Sequence, residues 1–112
     1  MNDVTIEQIE LELETAREFA KKGDALERLL ANADFNTIIS EGYFKEHAYQ
    51  LVELKAAPSR KGEAEQAAII KSIDGIGELQ QYFNAIRAMA DNARAAIDQG
   101  NAAIDEITGG DI

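Results

Sequence analysis

One pattern in the C-terminal half of the chain constrains the fold more than any other. Read as a heptad, Ile69, Ile76, Phe83, Ala90, Ile97 and Ile104 fall at the first core position. Ser72, Leu79, Ile86, Ala93, Gly100 and Ile107 fall at the second. A repeat held this long predicts a coiled-coil-like helix from about Glu63 to Ile107. At 1.5 Å per residue such a helix spans roughly 65 Å. Its seam has soft places. Gly75 and Gly77 flank Ile76 and are expected to kink or break the helix. Ala90 and Ala93 thin the seam and let a partner helix approach closely, Gly100 weakens it, and Gly109 with Gly110 are expected to end it.

A second helix is announced at the other end. Thr5 with Gln8 forms a capping-box pattern, Val4 and Ile9 stand at the positions of a hydrophobic staple, and Glu7 suits the positive end of the helix dipole. Ile6, Ile9, Leu13, Ala16, Ala20 and Gly23 succeed one another at alternating spacings of three and four, one apolar stripe on a helix. This predicts a helix over about 5–31, with a bend at Gly23-Asp24 and a restart of the apolar face at Ala25, Leu26, Leu29 and Leu30.

Asn32-Ala33-Asp34 reads as a break, with Asp34 expected to cap the next helix. Short helices are predicted over about 35–56. The first runs through Phe35, Ile38 and Ile39, and Gly42 either ends it or permits close packing. The second carries Tyr43, Phe44, Ala48, Leu51, Val52 and Leu54 on its apolar face. Residues 57–62, Ala57-Pro58-Ser59-Arg60-Lys61-Gly62, form a linker, because proline disfavours a helical residue before it. No strand alternation or hairpin signal appears. The chain of 112 residues is therefore expected to be one all-α domain, an antiparallel helical hairpin or small bundle with a long C-terminal coiled-coil-like helix.

Charge narrows the function classes. The formal net charge is −10, which argues against direct phosphate contacts and against anionic membranes. The same charge keeps a chain soluble, or suits it to a basic patch on another protein. There is no cysteine, so disulfides, thiolate metal sites and cysteine nucleophiles are excluded. No stretch is long and apolar enough to span a membrane, and Met1-Asn2-Asp3-Val4 has no basic segment leading into an apolar core. A bacterial or viral intracellular protein is expected.

Residues suited to catalysis are sparse. His47 is the single histidine, and its neighbours Lys45 and Glu46 suggest a solvated helix face. Glu10, Glu14 and Glu18 share a face at four-residue spacing. A di-metal carboxylate bundle wants Glu three residues before His, and Phe44 stands there instead. Gly75-Ile76-Gly77 lacks the third glycine, the preceding strand and the Lys-Ser/Thr of phosphate-binding loops. Ser40, Ser59 and Ser72 have no nucleophile elbow around them. No catalytic, cofactor-binding or metal-ligating residue is assigned, and the chain is not expected to be an enzyme. Phe19, Phe35, Tyr43, Phe44, Tyr49, Tyr82 and Phe83 are expected mostly in the core, with Tyr82 either exposed or covering a neighbouring helix.

The segment Asp34-Phe35-x-x-Ile38-Ile39-x-x-Gly42-Tyr43-Phe44-x-x-x-Ala48-x-x-Leu51-Val52, with Pro58 after it, is one of two that carry a resemblance. The other is Ile76-x-x-Leu79-x-x-Tyr82-Phe83-x-x-Ile86. Together they resemble a group of small helical proteins of tailed bacteriophages, often encoded near head-morphogenesis genes, from about Gly23 to Ala96. The resemblance implies a protein made in the cytoplasm of the infected bacterium, serving virion assembly or sitting in the virion. It implies association with phage head or connector proteins, or self-association. The expected partner-binding residues are Ile76, Leu79, Tyr82, Phe83 and Ile86. The alternative is an acidic host-directed inhibitor, a mimic of nucleic-acid charge or an anti-defence protein that binds a basic host protein. It rests on Glu7, Glu10, Glu12 and Glu14 at one end and Asp98, Asp105, Glu106 and Asp111 at the other.

Overall fold

The computed structural model describes residues 3–109, with side chains from residue 6 onward. Every regular element among them is helical: α1 (Asp3–Leu30), a single turn α2 (Ala33–Phe35), a π-helical segment Asn36–His47, α3 (Ala48–Ala56), a 3-10 turn Pro58–Arg60, and α4 (Glu63–Gly109). The all-α expectation is met, and α4 is the long C-terminal helix that the heptad predicts. Chain contacts group these residues into two compact units, one of residues 3–26 and 85–109 and the other of Glu27–Asn84.

In the first unit α1 lies antiparallel to the C-terminal half of α4. Gly23 packs against Ala90, and Gly100 packs against Leu13 and Ile9. As α1 runs back from Gly23 to Leu13, α4 runs forward from Ala90 to Gly100. Leu13, Ala16, Leu26, Ile86, Ala90 and Ala93 are buried. The seam is built from small residues facing large ones, which brings the helix axes close. Ala90 is fully buried, at 0% exposure, because Gly23 leaves no side chain to hold the helices apart.

Three expectations change here. α1 already includes Thr5, so the helix begins ahead of the expected cap; the side chains of Thr5 and Val4 lie outside the described residues. α1 also runs through Gly23-Asp24 without interruption. Glycine costs a helix about 1 kcal/mol relative to alanine, a small penalty beside the close packing it permits here. Gly100 is a socket for Leu13 rather than a weak point, since a Cβ there would stand 2.8 Å from Leu13 Cδ2. Across this packing Arg94 Nη2 donates to Asp24 Oδ1 at 2.9 Å, while within α4 Arg94 Nη1 donates to Asp91 Oδ1 at 3.1 Å. The hydrogen bond to Asp24, above all, holds the Arg94 pKa above its ordinary value.

In the second unit Leu51, Ile69 and Ile76 form the core, with Tyr43, Phe44, Ala48 and Ile73 packed against it. Asn32, not Asp34, is the N-cap: its Oδ1 accepts from Phe35 N at 2.9 Å. Asp34 instead sits in the first turn, where a carboxylate favours the helix dipole. Asn36 Nδ2 donates to Leu30 O at 2.8 Å and Ser40 Oγ donates to Asn36 Oδ1 at 2.8 Å, which ties the end of α1 to the π-helical segment.

That segment of 12 residues runs through Gly42. Its geometry has a packing consequence. Phe35 and Phe44 both contact Phe83, with ring centroids at 6.1 and 5.9 Å. They are nine positions apart in the sequence. Nine residues of α-helix make two and a half turns, which puts such a pair on opposite faces. Hydrogen bonding from residue i to i+5 widens the turn to roughly 4.4 residues, so about two turns return to the same face. Gly42 suits the wide turn, because a Cβ there would lie 2.9 Å from the Thr37 carbonyl oxygen.

The linker and the start of α4 fall where proline and glycine predict them. Gln66 Nε2 donates to Arg60 O at 2.7 Å and to Lys55 O at 3.0 Å, folding the linker back on the helix ends. α4 continues through Gly75 and Gly77 without the expected break. Ile76 between them is anchored in the core, and that anchoring offsets the glycine penalty. The expected end at Gly109 and Gly110 lies at the edge of the described residues.

Candidate interaction groove

Leu11, Thr15 and Phe19 stand four residues apart on α1, so they line up along one flank of that helix. This flank lies beside the buried stripe of Leu13 and Ala16. Met89, Asn92 and Ala96 line the facing flank of α4. The small Ala16, Ala93 and Ala96 do not fill the space between the helices. The result is an open groove of about 460 Å³ over an apolar floor. Leu11 is 66% exposed, Met89 45% and Phe19 36%. Three large apolar side chains thus gather around one depression.

The groove continues. Glu12 and Ala96 also line a neighbouring depression of about 230 Å³, with Ile9, Gln99, Gly100 and Ala103. The two depressions lie side by side along α1 and α4, with Glu12 and Ala96 common to both linings. Among the described residues, Glu12 is the only charged side chain that lines either of them. Both walls are helices, so the groove presents side chains rather than open backbone hydrogen-bonding groups.

The five residues expected to bind a partner are placed differently. Ile76 is buried in the core of the second unit, and Phe83 is half-buried against Phe35 and Phe44. Leu79 is half-buried and Ile86 is buried in the first unit. Only Tyr82 presents its surface, at 52% exposure, with its ring 6.4 Å from that of Phe83. Ile76, Phe83 and Ile86 are thus occupied by packing within the chain. The physical reason is that a heptad seam buries itself equally well against a helix of its own chain or of another.

His47 is exposed and stacks on Tyr43, with centroids at 5.8 Å and planes at 18°. No group of three or more His, Asp or Glu side chains among the described residues is placed to hold a metal ion. Leu11, Phe19 and Met89, the residues that define the groove, carry a weak sequence signal. Leu11 and Phe19 flank Thr15 at helical spacing but off the main stripe, and Met89 lies just off the heptad core. No family model, no curated protein and no solved structure matches this chain.

Proposed function

We propose that the protein works by protein–protein association, as a helical assembly module that receives a partner in the groove along α1 and α4. The observation that carries this reading is the exposure of Leu11, Phe19 and Met89 around one apolar depression. Burying that surface supplies a driving force that needs no further chemistry from the chain. The resemblance of its apolar and aromatic pattern to small helical phage proteins supports virion assembly as the setting, with head or connector proteins as partners.

The test is purification of the tagged protein, and of a Leu11→Asp variant, from phage-infected bacteria, with partners quantified by mass spectrometry. Recovery of capsid, portal or scaffold proteins by the parent and their loss with the variant is the expected result. The net charge of −10 favours one other reading, that of an acidic inhibitor of a basic host protein. That reading predicts a host nuclease, polymerase or defence protein among the partners, released by moderate salt.

A further inference from the structure

The occupant of the groove can be specified by chemistry, on the reading that the groove is the association site. We infer that it is a single amphipathic helix that carries a basic residue midway along its apolar stripe.

The helical form comes from the walls. An extended segment laid in an apolar groove loses water from its backbone N–H and C=O groups. Sheet edges repay that loss with backbone partners. Here the walls are two helices whose backbone groups are already paired, so an extended occupant gains nothing in return. A helix arrives with its own backbone satisfied. Taken together the two depressions also have the length for one: from Ile9 to Phe19 they run beside α1 for about 15 Å, close to three helical turns. Ala93, Ala96, Gly100 and Ala103 keep the α4 wall low enough for a third helix to approach.

The basic residue is called for by Glu12. It lines both depressions, so it stands where they adjoin and supplies their only charge among the described residues. A Lys or Arg on the occupant meets it, with apolar residues one turn to either side reaching the Leu11, Phe19 and Met89 end and the Ile9 end. Net charge also weighs against a second copy of this chain, although Arg17 and Lys21 share the helix. Each copy carries −10, and exposed Glu7, Glu14 and Glu18 neighbour Glu12 on the same helix. Two such surfaces brought together would place carboxylates near carboxylates in the contact.

The experiment uses the full chain and three synthetic helical peptides of about fifteen residues, each stapled on its outer face to hold the helix. One carries Leu at i, i+3, i+4 and i+7 with a central Lys; the second has Glu for that Lys; the third is a scramble of the first. Binding is read by fluorescence anisotropy. The Lys peptide should bind at least about tenfold more tightly than the Glu peptide or the scramble. Leu11→Asp should reduce it to the level of the scramble. Glu12→Gln should weaken it about two- to fivefold, the range for an exposed ion pair. Equal binding of the Lys and Glu peptides, or unchanged binding to Leu11→Asp, overturns the inference. So does a dimer in sedimentation equilibrium that Leu11→Asp dissociates, which would make a second copy the occupant. If the peptides fail while partners from infected cells still depend on Leu11, the association reading stands and the basic-helix chemistry falls.

Discussion

Gly23 of α1 lies so close to Ala90 of α4 that a Cβ at position 23 would collide with the Ala90 methyl group. Neither carbon can swing aside, because both are fixed to their backbones. Gly77, also helical, has no neighbour within 4 Å of where a Cβ would stand and is open on that side. Alanine should therefore act in opposite senses at the two sites. Gly77→Ala should stabilise the fold by about 0.5–1 kcal/mol through helix propensity and reduced chain entropy. Gly23→Ala should destabilise it by about 1–3 kcal/mol through overpacking, despite the same propensity gain. Urea denaturation monitored by far-UV circular dichroism separates them; equal stabilisation of both would mean that the helices do not meet at Gly23.

Leu11 and Leu13 are two residues apart and should behave as different kinds of residue. Leu13 is 3% exposed and sits against Gly100. Leu13→Ala should cost about 2–4 kcal/mol, a large share of the stability of a chain this small. Leu11→Asp should cost no more than about 1 kcal/mol, from helix propensity and the neighbouring Glu7 and Glu14 carboxylates, while abolishing association. Thermal melts of the two variants, paired with the peptide assay, check both halves.

The cap of the middle helices gives a direct contrast between neighbours. Asn32→Ala removes the acceptor for Phe35 N and should cost about 1 kcal/mol. Asp34→Ala leaves that bond in place and should cost no more than about 0.5 kcal/mol from the helix dipole. A larger loss at Asp34 than at Asn32 in urea titrations would reverse the assignment.

Phe83 joins Phe35 and Phe44, so its substitution should act on folding before it acts on binding. Phe83→Ala should cost about 3 kcal/mol and weaken the near-UV dichroism of the tyrosines that neighbour this cluster, Tyr43 and Tyr82. Full retention of stability together with lost association would return Phe83 to the role that the heptad alone suggested.

The Arg94–Asp24 pair sets a pH expectation with a definite sign. The Arg94 pKa is raised by its hydrogen bond to Asp24, so the stability that it contributes is present below its ordinary pKa and is lost only as pH rises through the higher folded value. The difference in melting temperature between the parent and Arg94→Gln should stay flat from about pH 7 to about pH 10. It should shrink with added salt, because both partners are exposed. A difference that grows or collapses within that pH window would assign the effect to another group.

The heptad from Ile69 to Ile104 and the stripe from Ile6 to Ala20 were enough to determine the all-α class and the positions of the two long helices. Pro58 and Gly62 were enough to locate the linker. These are local signals, since periodicity and turn chemistry depend on residues within a few turns of one another. The covering of the seam was not a local property. The tertiary structure decided that Phe83 meets Phe35 and Phe44, through a π-helical segment that no α-helical period describes. It decided that Gly23 and Gly100 are sockets for close packing, although a glycine reads the same in sequence whether it bends a helix or admits a neighbour. The groove of Leu11, Phe19 and Met89 belongs to the same class of information. Its apolar residues come from distant parts of the chain, and only the antiparallel packing of α1 on the C-terminal half of α4 brings them to one surface.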